Sequence, residues 1–130
     1  MRRPRTPVLV TFVLLAAACD NATTPSSVSI AGSWESVGFT DANFRMTMVE
    51  TARAVEGAGH RAAAGETTAF RIVGANTGRK ASLLLDFDGR DDINFEGEFE
   101  DRNDETTLEG ALFGGGYAGD AIVFRRDDSD

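Results

Sequence analysis

Ile93-Asn94-Phe95-Glu96-Gly97-Glu98-Phe99-Glu100 is followed, after a short polar break, by Leu108-Glu109-Gly110-Ala111-Leu112. In the first stretch Ile, Phe, Gly and Phe alternate with Asn and three Glu. Successive side chains of a β-strand point to opposite faces. The stretch therefore has one apolar face and one acidic face, as a half-buried antiparallel strand requires. Same-face residues must oppose one another across a hairpin. Placing Phe99 opposite Leu108 brings Gly97 to Gly110 and Phe95 to Leu112, and leaves Asn103-Asp104 as a two-residue loop. Both loop residues tolerate positive φ, which suits a type I′ turn.

The same period runs outward from this hairpin. Phe44, Met46 and Met48 alternate with Arg45 and Thr47; Leu83, Leu85 and Phe87 alternate with Asp86 and Asp88, with Leu84 breaking the pattern; Ile122 and Phe124 continue it. Turn residues lie between the runs at Asn76-Thr77-Gly78, Gly89-Arg90-Asp91, Asn103-Asp104 and Gly114-Gly115-Gly116. A second hairpin is expected with Ile72 opposite Leu83 and Phe70 opposite Leu85, closing on Thr77-Gly78. The strands expected are 29–38, 44–51, 54–60, 67–75, 81–88, 93–101, 106–113 and 120–126. Residues 49–64 are Ala-rich and have some helical propensity, but Gly57 and Gly59 argue against a long helix. The fold class is all-β: an eight-stranded antiparallel up-and-down meander, closed into a barrel so that no edge is left exposed. An apolar-Glu-Gly pattern recurs at Val55-Glu56-Gly57, Phe95-Glu96-Gly97 and Leu108-Glu109-Gly110. Its glycines fall on the inward row, where they let a sheet bend.

The first strand carries Gly32-Ser33-Trp34 and the last ends Phe124-Arg125-Arg126. Gly-x-Trp opening an eight-strand meander resembles the lipocalin and avidin group of barrels. The resemblance implies that Trp34 plugs one end and that an arginine of the last strand lies over it. Arg126 shares parity with Ile122 and Phe124 and is the candidate; Gly32, Trp34 and Arg126 form the expected plug. The resemblance also implies a ligand cup. Its candidate lining is Phe44, Met46, Met48, Phe70, Leu85 and Phe95. The full inward set adds Ile30, Trp34, Val55, Ile72, Leu83, Phe87, Ile93, Phe99, Leu108, Leu112, Ile122 and Phe124. So many bulky side chains fill an eight-stranded barrel at ordinary packing density, and a mostly solid core is expected.

The chain has 130 residues, which is one domain. Residues 1–18 read as a signal peptide. Arg2, Arg3 and Arg5 precede the apolar run Val8 to Ala18, which is too short to span a hydrocarbon core of about 30 Å. The run ends Ala16-Ala17-Ala18-Cys19-Asp20, which resembles the lipobox of bacterial lipoproteins, with Ala16 where that family prefers Leu. The resemblance implies a diacylglyceryl thioether on Cys19, the only cysteine. The partner so implied is a bacterial membrane, reached by secretion across the inner membrane. Ala16-x-Ala18 also satisfies ordinary secretory cleavage, which leaves a bare thiol as the other outcome. Residues 19–29 are then the lipidated cysteine and a flexible tether, 30–126 the barrel, and 127–130 a frayed acidic tail.

The whole chain carries 13 basic and 21 acidic residues. Without the three leader arginines the balance is 10 against 21, or −11. Such a domain repels phosphate backbones, so nucleic acid is not an expected partner. One Cys and one His leave no thiolate cluster or His-rich metal site. Asp86, Asp88, Asp91 and Asp92 surround Gly89 without the spacing of a calcium loop and read as a solvated hairpin tip. His60 reads as an exposed loop residue. No phosphate loop, dinucleotide fingerprint or nucleophile elbow is present, and no carboxylate pair stands out. The expectation is a non-enzymatic binding module without metal or cofactor. It serves either a small apolar ligand in the barrel or an envelope protein on the outer surface, with Val37, Phe39, Val73 and Phe113 as the exposed apolar residues.

Overall fold

A computed structural model describes residues 28–127. They form eight strands: β1 Gly32–Ser36, β2 Asn43–Thr51, β3 Ala54–Ala63, β4 Glu66–Asn76, β5 Lys80–Phe87, β6 Ile93–Arg102, β7 Glu105–Gly114 and β8 Tyr117–Arg126. Each strand pairs antiparallel with the next, and β8 returns to pair with β1 through Trp34 opposite Arg126 and Ser36 opposite Phe124. The barrel is closed, the architecture that the resemblance to lipocalins and avidins implies. The expected signal peptide, Cys19, residues 20–27 of the expected tether and residues 128–130 of the expected tail lie outside the described residues; Val28 and Ser29, expected in the flexible tether, are instead bonded to the barrel through Asn76, Gly78 and Arg126.

The β6–β7 hairpin has the expected register, with Phe99 opposite Leu108, Gly97 opposite Gly110 and Phe95 opposite Leu112. Its loop residues Asn103 and Asp104 take φ of 49° and 67°. The β4–β5 hairpin differs from expectation. Ile72 faces Leu85, not Leu83, and Phe70 faces Phe87, not Leu85. The reason lies in the loop and in Gly74. Thr77 N–H donates to Lys80 O, so the two-residue loop is Gly78-Arg79 rather than Thr77-Gly78. Gly78 takes a φ of 106° at the first loop position, where threonine would be strained. Gly74, which has no side chain, then lies opposite Leu83. A slip of two residues keeps parity, so every inward residue still faces inward.

Boundaries shift elsewhere. β1 is shorter than expected; β3 runs on to Ala63 and β8 begins at Tyr117. His60 therefore stands on the outer face of β3, not in a loop. The Ala-rich segment is a hairpin, not a helix, and turns at Ala52 and Arg53, both at positive φ. Asp127, assigned to the frayed tail, donates its N–H to Ser33 O and places its carboxylate 3.5 Å from Arg45 Nη1.

Every residue of the expected inward set is buried, at 5% exposure or less, joined by Ala42 and Ala81. Rings from separate walls meet in the middle. Phe124 of β8 lies 5.4 Å from Phe95 of β6 and 6.3 Å from Phe44 of β2, and Phe44 lies 6.3 Å from Phe70 of β4. Close approach of the adjacent strands β6 and β7 depends on glycine. A Cβ at Gly110 would sit 2.0 Å from Glu96 O and 2.5 Å from Gly97 Cα.

Candidate functional site

The two ends of the barrel are built differently. At one end, β1 begins and β8 ends. Trp34 is buried there, and its indole Nε1 donates to Ile30 O at 2.8 Å. The Arg126 guanidinium lies over the indole, 4.4 Å from the ring centroid, and donates to Ala31 O and Ser29 O. Gly32 leaves room for it, since a Cβ there would sit 3.3 Å from Arg126 Nη1. The incoming chain is laced down beside this stack. Asn76, buried, donates to Val28 O and Glu50 Oε1 and accepts from Gly78 N–H, while Glu50 Oε1 accepts from Ile30 N–H. Val28 N–H adds a bond to Gly78 O. Donors and acceptors at this end are thus matched by segment 28–31 folding across it.

The candidate ligand-lining residues do not frame a cup. Phe44, Phe70 and Phe95 sit in the ring cluster just described, and Met46, Met48 and Leu85 are buried with them in the same core.

The opposite end carries the polar chemistry. Inward-row parity on β3 runs Val55, Gly57, Gly59 and then Arg61, a cation where a core residue belongs. Arg61 faces Phe44 on β2 and Thr68 on β4. Its guanidinium carbon lies 5.9 Å from the Phe44 ring centroid and 5.8 Å from that of Tyr117, so two aromatic faces favour its charge. Nη2 donates to Asp41 Oδ2 at 3.2 Å and to Tyr117 OH at 2.9 Å, and Tyr117 OH donates to the same Asp41 oxygen. Burial, reinforced by the bond to Asp41, raises the Tyr117 pKa above the ordinary phenol value. Phe39, expected on the surface, instead packs over this rim, 6.1 Å from Phe44 and 5.8 Å from Tyr117. Arg61 Nε is buried and has no hydrogen-bond partner among the described residues.

Beside Arg61 a cleft of about 210 Å³ opens, lined by Arg61, Phe87, Arg90, Asp91, Ile93 and Gly115. Arg90, from the β5–β6 loop, donates through Nη1 to Thr68 Oγ1 at 3.2 Å. Sequence reading passed over both arginines. The available signal was the parity of Arg61 with Val55, Gly57 and Gly59; nothing in the local sequence marks Arg90 as its neighbour.

On the outer wall the exposed large apolar residues are Val37, Val49, Val73 and Phe113. Pairing places Val49, Glu56, Val73, Leu84, Asn94 and Phe113 along one outward row. A polar residue thus separates Val49 from Val73, and another separates Leu84 from Phe113. A larger outer groove of about 600 Å³ runs over β4–β7 between Ala75, Ala111 and Phe113, edged by Glu96, Glu98 and Glu109. Among the described residues no group of three or more His, Cys, Asp or Glu side chains could hold a metal ion. The described residues contain no helix long and apolar enough to cross a membrane.

Compared with known protein families, curated proteins and solved structures, the chain matches none of them.

Proposed function

We propose that this chain is a bacterial cell-envelope lipoprotein, secreted and held to a membrane by lipid on Cys19, whose barrel acts as an interaction module through its rim and outer wall. The observation that carries the second half is the contact between rings of separate walls, Phe95 with Phe124 and Phe124 with Phe44. A ligand in the cup would have to displace that packing, at a cost of several kcal/mol. An exterior role for an envelope protein or small molecule is therefore favoured over enclosure of an apolar ligand. No catalytic role, metal or cofactor is part of this reading, and the acidic charge disfavours nucleic acid.

Geometry adds an orientation. Segment 28–31 is tied across the Trp34 end, so a lipid on Cys19 would tether that end to the bilayer. The tether from Cys19 to Val28 reaches about 30 Å when extended. The Arg61 rim would then face away from the membrane.

Intact mass spectrometry of the mature protein, taken from its own host's membranes, tests the reading. The expected mass is that of residues 19–130 plus a diacylglyceryl group and any N-acyl chain. An unmodified Cys19 thiol, or a retained leader, would overturn it.

A further inference from the structure

We infer that the cleft beside Arg61 is a binding site for a small carboxylate, held by Arg61 and Arg90. The site lies on the rim from which the proposed module works, but it stands whether or not Cys19 is acylated.

Three observations converge. The first is the pair of guanidinium groups lining one cleft, Arg61 with its buried Nε unpartnered among the described residues and Arg90 bonded there only through Nη1. A guanidinium is planar, and its donors match the two oxygens of a carboxylate. Asp41 and Tyr117 engage Nη2 from the rim side, which fixes the guanidinium in place before any ligand arrives. The second is the composition of the walls. Arg61 and Arg90 in the lining are offset by Asp91 and by Asp41, which pairs with Arg61 at 3.2 Å, so an anion is held there by guanidinium hydrogen bonds rather than by surplus positive charge. Among the described residues Arg90 is held only through Nη1, by a neutral hydroxyl, so its charge has no carboxylate partner there among its hydrogen bonds. The third is size and shape. About 210 Å³ is below the range of drug-sized pockets and admits a carboxylate with a few carbons. Gly115 packs directly on Ile93 at the edge of the cleft, where a Cβ would press on Ile93 Cγ1 at 2.8 Å.

Such a carboxylate could belong to a free short-chain acid or to the C-terminal residue of a peptide. The test distinguishes them. The full chain, in a non-ionic detergent and labelled with 15N, is titrated with sodium butanoate, butanamide, the peptide acetyl-Ala-Ala-Val with a free carboxylate, and its C-terminal amide. The readout is the Nε–Hε resonance of Arg61. A saturable shift with at least one carboxylate, absent with the matching amide, is expected; the carboxylate that binds identifies the source. Arg90→Gln, a loop substitution away from the core, is expected to weaken binding by about tenfold or more. Arg61→Lys keeps the charge but loses the fork and the reporter, so it is read on the backbone amide of Gly115 in the cleft wall, whose shift is expected to lose saturation. Should that variant fail to fold, Arg90→Gln and the amide controls still decide. No saturable shift up to about 50 mM of either carboxylate, equal response to the amides, or unchanged affinity in Arg90→Gln would each overturn the inference.

Discussion

Replacing Arg126 with Met tests the closed end of the barrel most directly. The substitution keeps an unbranched apolar stem but removes the charge over Trp34 and the donors to Ala31 O and Ser29 O. A cation on an indole face contributes about 0.5–2 kcal/mol, with the upper part of the range reached when water is excluded, and Trp34 is buried here. The two carbonyls are near solvent and can turn to water when the guanidinium goes, so each bond is worth about 1 kcal/mol rather than a full desolvation penalty. The expected loss is about 2–4 kcal/mol, or roughly 10–20 °C in Tm for a domain of this size. Trp34 is the only tryptophan, so urea unfolding followed by indole fluorescence reports on this end of the molecule. The midpoint should fall with an unchanged slope, and native emission should move to the red as water reaches the ring. Arg125→Met is the control. Its side chain points outward and makes an exposed pair with Glu35 at 3.4 Å, worth about 0–1 kcal/mol. A loss in Arg126→Met within about 0.5 kcal/mol of the control would refute the assignment of Arg126 as the lid on Trp34.

Gly110→Ala should cost at least about 2 kcal/mol by thermal or urea unfolding, because its Cβ would meet backbone atoms of Glu96 and Gly97 that cannot rotate away. Arg53→Gly should instead stabilise by about 1 kcal/mol in the same assay, since Arg53 holds a φ of 74° in the β2–β3 turn. Glu109 has its pKa lowered, first by its side-chain hydrogen bond from Arg102 and then by that from Thr107. Its folded value lies below its unfolded one, so the contribution is present above the unfolded pKa and disappears as pH falls through the folded one; the stability gap between wild type and Arg102→Ala should close below about pH 4. Tyr117 is shifted the other way, by burial and then Asp41, so its contribution is present below the unfolded pKa and declines as pH rises through the folded one. Tyr117→Phe should therefore show a shallower loss of stability above about pH 10 in an alkaline titration followed by circular dichroism.

How much of this was legible can be followed residue by residue. Phe95, Gly97 and Phe99 could be matched with Leu112, Gly110 and Leu108 because both strands carry glycine on the same row and Asn103-Asp104 suits the turn. Ile72 was matched two residues out, because Gly78 stands beside Thr77 and either two-residue loop preserves the pattern of faces. Val55 was readable as inward, but the Ala and Gly after it carry little pattern, so Arg61 at the end of the same row went unnoticed. Phe39 had no strand to give it a face, and its packing over Tyr117 comes from the far end of the chain.

Periodicity by itself determined the all-β class, the number of strands and which side chains lie inside, because alternation is a local property of an extended backbone and survives an error of two residues in register. Tertiary structure alone decided what those side chains do once the sheet closes. Only closure brings Phe124 against Phe44, lays Arg126 on Trp34 and sets Arg61 between Asp41 and Tyr117, 76 residues apart in the chain. Whether an apolar interior is a cup or a solid core depends on the distance between facing walls, which no single strand records.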